Sequence, residues 1–242
     1  MSAQRTALVT GGSRGIGRAI VLALAADGWT VAFSWRSEEA RAREVEAASP
    51  AARAFHFDAR DRPRAAALVA EVESSLGPIA ALVNNAGIQR DALLALTSDE
   101  QWDETIDVNL GSVFRCCRAV LPGMITRRAG AIVNVASLSA IRGRPGQAAY
   151  AASKAAVVGL TRALSREVGK RGVRVNAVLP GFVATEMTGS LPPGVVSELR
   201  AMESLKAGTG VQAVADAIAF LVSERAASVT GQALVVDSGA SA

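Results

Sequence analysis

The chain contains one tyrosine, Tyr150, and only three lysines, one of which, Lys154, lies four residues beyond that tyrosine. Residues four apart share a helix face. A phenol and an ammonium on one face can act as a proton donor and the cation that tunes it. Elsewhere the chain carries its positive charge on arginine, a planar and permanently charged fork. Lysine is instead a compact charge on a flexible stem.

A second group with chemical potential is Thr10-Gly11-Gly12-Ser13-Arg14-Gly15-Ile16-Gly17. Glycines at these spacings let the backbone turn tightly and approach a pyrophosphate. A helix opening near Gly15 offers free N–H groups and its positive dipole end. The turn follows an apolar strand and opens a helix, which is the context such a motif needs.

The end of the second strand selects the cofactor. An acid there would bond a ribose 2′-hydroxyl and repel a 2′-phosphate. The chain instead reads Ser34-Trp35-Arg36-Ser37, with Glu38 as the first carboxylate. Arg36 and Arg14 together favour a 2′-phosphate through charge-assisted bonds. NADP(H) is therefore the expected cofactor.

These groups must be held by a regular alternation of strand and helix. Short apolar runs at Thr6–Thr10, Thr30–Trp35, Arg53–Phe57, Ala80–Val83, Ala131–Val135, Val173–Leu179 and Ala233–Val236 read as strands. They are continuous rather than alternating, as expected for strands buried on both faces of a parallel sheet. Helices are expected at Gly15–Ala26, Ser37–Ala48, Asp61–Leu76, Ala149–Val168 and Val211–Ser223. Another helical stretch runs from a Thr97-to-Glu100 capping box to about Arg127, interrupted by Gly111 and Pro122. The pattern predicts one α/β domain over residues 1–242, a Rossmann-type doubly wound parallel sheet of about seven strands. The longest unassigned stretch is Gly181–Gly210, expected to be a mobile segment over a cleft.

Composition narrows the function classes. Half of the 242 residues are hydrophobic and 4% are aromatic, so aliphatic side chains build the core. No apolar run reaches the ~18 residues of a membrane span, and the start of the chain lacks a signal-peptide pattern. A cytoplasmic location is expected. The net charge of +4 is dispersed rather than gathered in a basic tract, which argues against nucleic acid. Cys116 and Cys117 are adjacent and read as buried filler, with no metal framework. His56, the single histidine, reads as a strand residue.

In order along the chain come the glycine turn, Asn84-Asn85-Ala86-Gly87, Asn109, Ser137, Tyr150-x-x-x-Lys154 and Pro180-Gly181. This ordered set resembles the short-chain dehydrogenase/reductase family over essentially the whole chain. The runs Asn84–Asp91, Pro145–Tyr150, Pro180–Met187 and Thr230–Asp237 look like its 3-oxoacyl-[acyl-carrier-protein] reductase branch.

The resemblance implies that Tyr150 protonates a carbonyl oxygen as hydride reaches the carbon. It implies that Lys154 lowers the phenol pKa and holds the cofactor ribose. Ser137 would orient the substrate oxygen, ahead of its neighbours Ser139 and Ser153, and Asn109 would support a water chain to Lys154. Gly11, Ser13, Arg14, Gly15, Ile16, Gly17, Arg36, Asp58, Asn85, Ala86, Gly87, Pro180, Gly181, Val183 and Thr185 would line the cofactor cleft, with Asp58 at the adenine. Gln147 would face substrate. Arg127, Arg128 and Arg171, expected near the cleft mouth, would dock acyl carrier protein. A homotetramer is implied. The expected reaction is NADPH-dependent reduction of a 3-oxoacyl thioester in fatty-acid or polyketide-type biosynthesis. Reduction of another ketone, or oxidation of a secondary alcohol, is the alternative.

Three places depart from the family pattern. Leu205-Lys206-Ala207-Gly208-Thr209-Gly210 lacks the usual arginine and proline, and a Thr209/Gln212 capping box is expected to start the next helix instead. Ser238 stands where glycine is common. Arg142 and Arg144 occupy the loop between Ser137 and Tyr150. They could meet an acidic substrate or phosphopantetheine, although solvated loop arginines are the plainer reading.

Overall fold

The computed structural model describes residues 5–189 and 191–242. Seven parallel strands form one sheet in the order β3-β2-β1-β4-β5-β6-β7. They are β1 Thr6–Val9, β2 Thr30–Trp35, β3 Ala52–His56, β4 Ile79–Asn84, β5 Gly130–Val135, β6 Val173–Pro180 and β7 Ala233–Val236. The order reverses at β1 and β4, which opens a crevice at the carboxyl ends of the strands.

Among the described residues there are eight α-helices: α1 Gly15–Ala26, α2 Glu39–Ala48, α3 Arg64–Leu76, α4 Asp99–Ile106, α5 Ser112–Arg127, α6 Ala148–Val168, α7 Pro193–Ala201 and α8 Val211–Val222. One face packs Leu8, Leu82, Ile132, Val175 and Leu179 against apolar side chains of α3, α5 and α6. The other packs Val9, Phe33, Val83 and Val133 against α1, α2 and α8. Alternate residues of each strand therefore enter opposite cores, which is why the strands read as unbroken apolar runs.

Several local expectations change. The capping box at α4 uses Ser98 and Gln101, one residue later than expected. Ser98 Oγ accepts from Gln101 N, and Gln101 Oε1 accepts from Ser98 N. The helical stretch to Arg127 is broken by a π-turn, Asp107–Gly111, and Pro122 stays inside α5. The Gly181–Gly210 stretch contains α7, whose signal was the Pro192-Pro193 pair, since proline suits the first helical position.

The Thr209/Gln212 capping box does not form. Thr209 donates its hydroxyl to Ser238 Oγ, and Gln212 donates to Asp216. Gly210 caps α8 without a side-chain bond. Ser238 has a φ of 54°, the left-handed conformation that explains why glycine suits this position. Its bond from Thr209 offsets part of that cost.

Candidate active site

The crevice is a cleft of about 610 Å³ running from the end of β2 to α7. The glycine turn closes one end. Gly11 has a φ of 68°, and a Cβ on Gly17 would collide with the Gly11 carbonyl. Asn85 clamps the turn: its Nδ2 donates to the carbonyls of Thr10 at 3.1 Å and Gly11 at 3.0 Å. Thr10 Oγ1 accepts from Asn85 N and Ala86 N, both at 3.0 Å. Thr10, which opens the glycine turn in the sequence, thereby ties β1 to the end of β4. The N-terminus of α1 opens onto the cleft with no side-chain cap, so its free N–H groups suit a pyrophosphate.

Arg36 lines the cleft and has no ion-pair partner among the described residues. Arg14 is differently placed. It pairs with Glu38 at 2.6 Å and Glu186 at 3.3 Å, and Arg41 joins the same two carboxylates. This network crosses from the glycine turn and α2 to the segment after β6. Both arginines line the cleft, but they differ in partners: Arg36 has no carboxylate bonded to it among the described residues, while Arg14 is shared with acids. Asp58 lines the cleft beside Arg36, and its pair with Arg60 at 2.6 Å holds its carboxyl down at about 2. Ser13, Gly15, Ile16, Ala86, Gly87, Pro180, Gly181, Val183 and Thr185 also line the cleft.

Ser137, Tyr150 and Lys154 meet further along. Ser137 follows β5 and starts a single 3-10 turn, where its Oγ accepts from Ser139 N at 3.1 Å. The same hydroxyl is hydrogen-bonded to the Tyr150 phenol, which couples the two groups in the cleft. Ser139 Oγ is engaged with Gln147 Oε1 at 2.9 Å, and Ser153 Oγ donates to the Tyr150 carbonyl at 2.7 Å. That separates Ser137 from its two neighbours. Tyr150 and Lys154 stand one turn apart on α6, with Lys154 Nζ 5.8 Å from the Tyr150 ring centre. Nζ donates to the Val135 carbonyl at 2.8 Å, so the amine is anchored to the strand that presents Ser137.

Asn109 is fully buried within the π-turn. It accepts from Ile88 N at 2.8 Å and donates to Ile88 O at 2.9 Å and Ser153 Oγ at 3.1 Å. A Cβ on Gly87 would lie 3.1 Å from Asn109 Oδ1 and 3.4 Å from Lys154 Nζ. The space beside Gly87 is thus bounded by both groups.

The electrostatics differ from expectation. Burial pushes the Tyr150 phenol above its ordinary value, the Ser137 hydroxyl opposes this, and Asp91 adds to the rise. Burial pushes Lys154 down to about 8. Lys154 therefore does not lower the phenol in the cofactor-free cleft. Each group loses hydration on charging, so burial disfavours both charged forms, although Lys154 at about 8 still carries its proton at pH 7.

Gln147 is buried and bridges Ser139 to Asp91, donating to Asp91 Oδ2 at 3.2 Å. Arg127, Arg128 and Arg171 are not at the mouth of their own chain's cleft. Arg127 donates to the Ile79 carbonyl and pairs with Glu73, and Arg128 donates to the Lys170 carbonyl. All three lie beside the amino ends of β4, β5 and β6, opposite the site. Their exposure was legible in sequence, but the sheet end on which they fall was not.

Arg115 was missed. It is almost fully buried and donates to the Ala59 carbonyl at 2.6 Å and to Asp107 Oδ1 at 2.9 Å. It joins the loop carrying Asp58 to the π-turn carrying Asn109. Its signal was an arginine on the buried side of the largely apolar run Val113–Val120, which also carries Arg118. A buried polar chain was missed as well: Asn84 donates to Asn134, and Asn134 to Thr161, tying β4 and β5 to α6. Cys116 and Cys117 are buried, with thiols pushed up to about 12. Among the described residues, no cluster of three or more His, Cys, Asp or Glu could hold a metal, and no helix is long and apolar enough to cross a membrane.

A doubly wound sheet with a glycine turn at its switch point and a Ser-Tyr-Lys group in the same cleft defines a nicotinamide-dependent oxidoreductase. The chain belongs to the short-chain dehydrogenase/reductase family. A family model described as enoyl-(acyl carrier protein) reductase matches residues 11–241. The chain is 40% identical over 243 residues to 3-oxoacyl-[acyl-carrier-protein] reductase FabG of Staphylococcus aureus (strain Mu50 / ATCC 700699), covering 99% of both proteins. It is 41% identical over 240 residues to the FabG of Chlamydia muridarum, covering 97% of this chain and 96% of the relative.

Proposed function

We propose that this protein reduces 3-oxoacyl thioesters carried on acyl carrier protein to 3-hydroxyacyl thioesters, with NADPH as reductant. The observation that carries this reading is the meeting of Ser137, Tyr150 and Lys154 in the cleft closed by the glycine turn. The names of its full-length relatives supply the substrate class. Arg36 supports NADPH over NADH, because its guanidinium is unpaired where a 2′-phosphate would lie. When bound, NADPH supplies a hydride to the carbonyl carbon.

The chain's own groups do the rest. The N–H groups at the start of α1 hold the pyrophosphate. Ser137 turns its hydroxyl from the Tyr150 phenol to the substrate oxygen and fixes the carbonyl. Tyr150 delivers the proton that turns the developing oxyanion into a hydroxyl, a type of transfer worth ~10²–10⁴ in rate. Its raised pKa keeps it protonated at neutral pH. The Lys154 ammonium stabilises the resulting phenolate and would donate to the ribose hydroxyls. Asn109 holds the backbone at Ile88 beside Lys154, where water would carry replacement protons.

The whole chain acts as one catalytic domain, with residues 185–210 covering substrate, in the cytoplasm. Exposed Leu93, Leu94, Leu96 and Phe114 around α4 and α5 support assembly into a homotetramer.

The test is NADPH oxidation with acetoacetyl thioesters, beside a 2-enoyl thioester and simple ketones. Reduction of the 3-oxoacyl thioesters is expected. Exclusive reduction of the 2-enoyl thioester or of an unrelated ketone would overturn the assignment.

A further inference from the structure

We infer that Arg142 and Arg144 form a subsite for the phosphate at the end of a pantetheine arm. The inference rests on the proposed thioester substrate and adds how the enzyme reads its carrier. Both side chains line the same cleft as Ser137 and Tyr150. Neither has a carboxylate partner among the described residues, whereas Arg14, Arg41, Arg43, Arg60 and Arg64 all do. Asp91, the carboxylate tied into this loop, is held by the amides of Gln89 and Gln147 instead. Glu198 faces the cleft from α7 without pairing to either arginine.

The anion they address is not one of the cofactor's. Their loop follows β5, whereas Arg36 follows β2. These strands are three positions apart in the sheet, or ~14 Å at the usual strand spacing. The pyrophosphate is claimed by the start of α1, two strands from β5.

The loop is braced rather than trailing. Arg142 N donates to the Leu138 carbonyl at 2.9 Å, and Arg142 Nη1 to the Ala240 carbonyl at 2.5 Å. Ala92 N donates to the Gly146 carbonyl at 2.9 Å, and Gln147 N to the Arg144 carbonyl at 3.1 Å. The backbone carrying both arginines is thus fixed, and the Arg142 guanidinium keeps donors beyond the one given to Ala240, which suits phosphate recognition. Met187, Leu191 and Met202 line the cleft from the segment after β6. A thioester substrate has the same division of character. Its acyl chain matches this apolar wall, and its phosphate-ended arm matches the arginines.

The test compares acetoacetyl-pantetheine with acetoacetyl-4′-phosphopantetheine, which differ only by the phosphate. In the unmodified enzyme, kcat/KM is expected to favour the phosphorylated arm about tenfold, mainly through KM, and added salt should shrink that preference. Arg142→Met with Arg144→Asn should reduce the preference to below about twofold, with a matching loss on the carrier-bound substrate. Arg144→Gln alone serves as a milder variant, and NADPH titration checks that each variant retains its cofactor cleft. No preference in the unmodified enzyme, or a preference that survives both variants, would overturn the subsite. A loss confined to the carrier-bound substrate would also overturn it, since the contact would then be with the carrier's protein surface. Failure to reduce either pantetheine thioester would instead refute the function on which the inference rests.

Discussion

Replacing Lys154 by Met should change stability in a pH-dependent way that its neighbours cannot mimic. Burial lowers the Lys154 pKa from 10.5 to about 8 in the folded, cofactor-free protein. Between those values the unfolded chain holds a proton that the folded protein lacks. Stability therefore rises with pH across that window, and the full cost of burying the ammonium applies below pH 8. At ~1.36 kcal/mol for each tenfold change in proton affinity, that cost is ~3 kcal/mol. The bond from Nζ to the Val135 carbonyl is available to the amine in either protonation state. Losing it in the Met variant therefore destabilises by about the same amount at every pH. Relative to the wild type, the variant should be favoured by ~2–3 kcal/mol more at pH 7 than at pH 10. Urea unfolding of both proteins without cofactor, at the two pH values, measures this directly. Other titrating groups are common to both proteins and cancel in the comparison. A difference constant within about 0.5 kcal/mol would refute the claim that Lys154 is a strongly desolvated cation.

Tyr150→Phe should leave NADPH binding within about twofold and lower turnover by ~10³-fold or more, read by fluorescence titration and steady-state kinetics; retained turnover would mean that another group donates the proton. Arg36→Asp should weaken NADPH by at least ~10-fold while leaving NADH nearly unchanged, and equal losses would remove the 2′-phosphate argument. Arg115→Met should cost ~2–3 kcal/mol of stability, because it leaves the Ala59 carbonyl without its donor and Asp107 with only the exposed Arg62; denaturant unfolding within 0.5 kcal/mol of wild type would show that this buried junction is not needed.

Much of this protein was determined by its sequence. Continuous apolar strands between amphipathic helices specify a parallel sheet covered on both faces, because a strand buried on each side has no polar face to expose. The glycine turn marks the nucleotide end for the same kind of local reason: a Cβ at Gly17 has no room. The Tyr150–Lys154 spacing places both groups on one helix face whatever surrounds that helix. The π-turn that seats Asn109 was not legible, since it depends on Asp107 and Arg115 meeting the Ala59 loop from a distant part of the chain. The fate of Arg14 was likewise undecided until Glu186 arrived from beyond β6.

Tertiary structure alone also decided two matters of charge. It placed Arg127, Arg128 and Arg171 at the amino ends of the strands and Arg142 and Arg144 in the cleft. Sequence reports that an arginine is present but not which end of a sheet it reaches. It also decided the protonation of the Tyr150–Lys154 pair. Their spacing promised an ammonium that lowers a phenol, but the pKa of each depends on how much water the fold removes. Here the fold removes enough to raise one and lower the other.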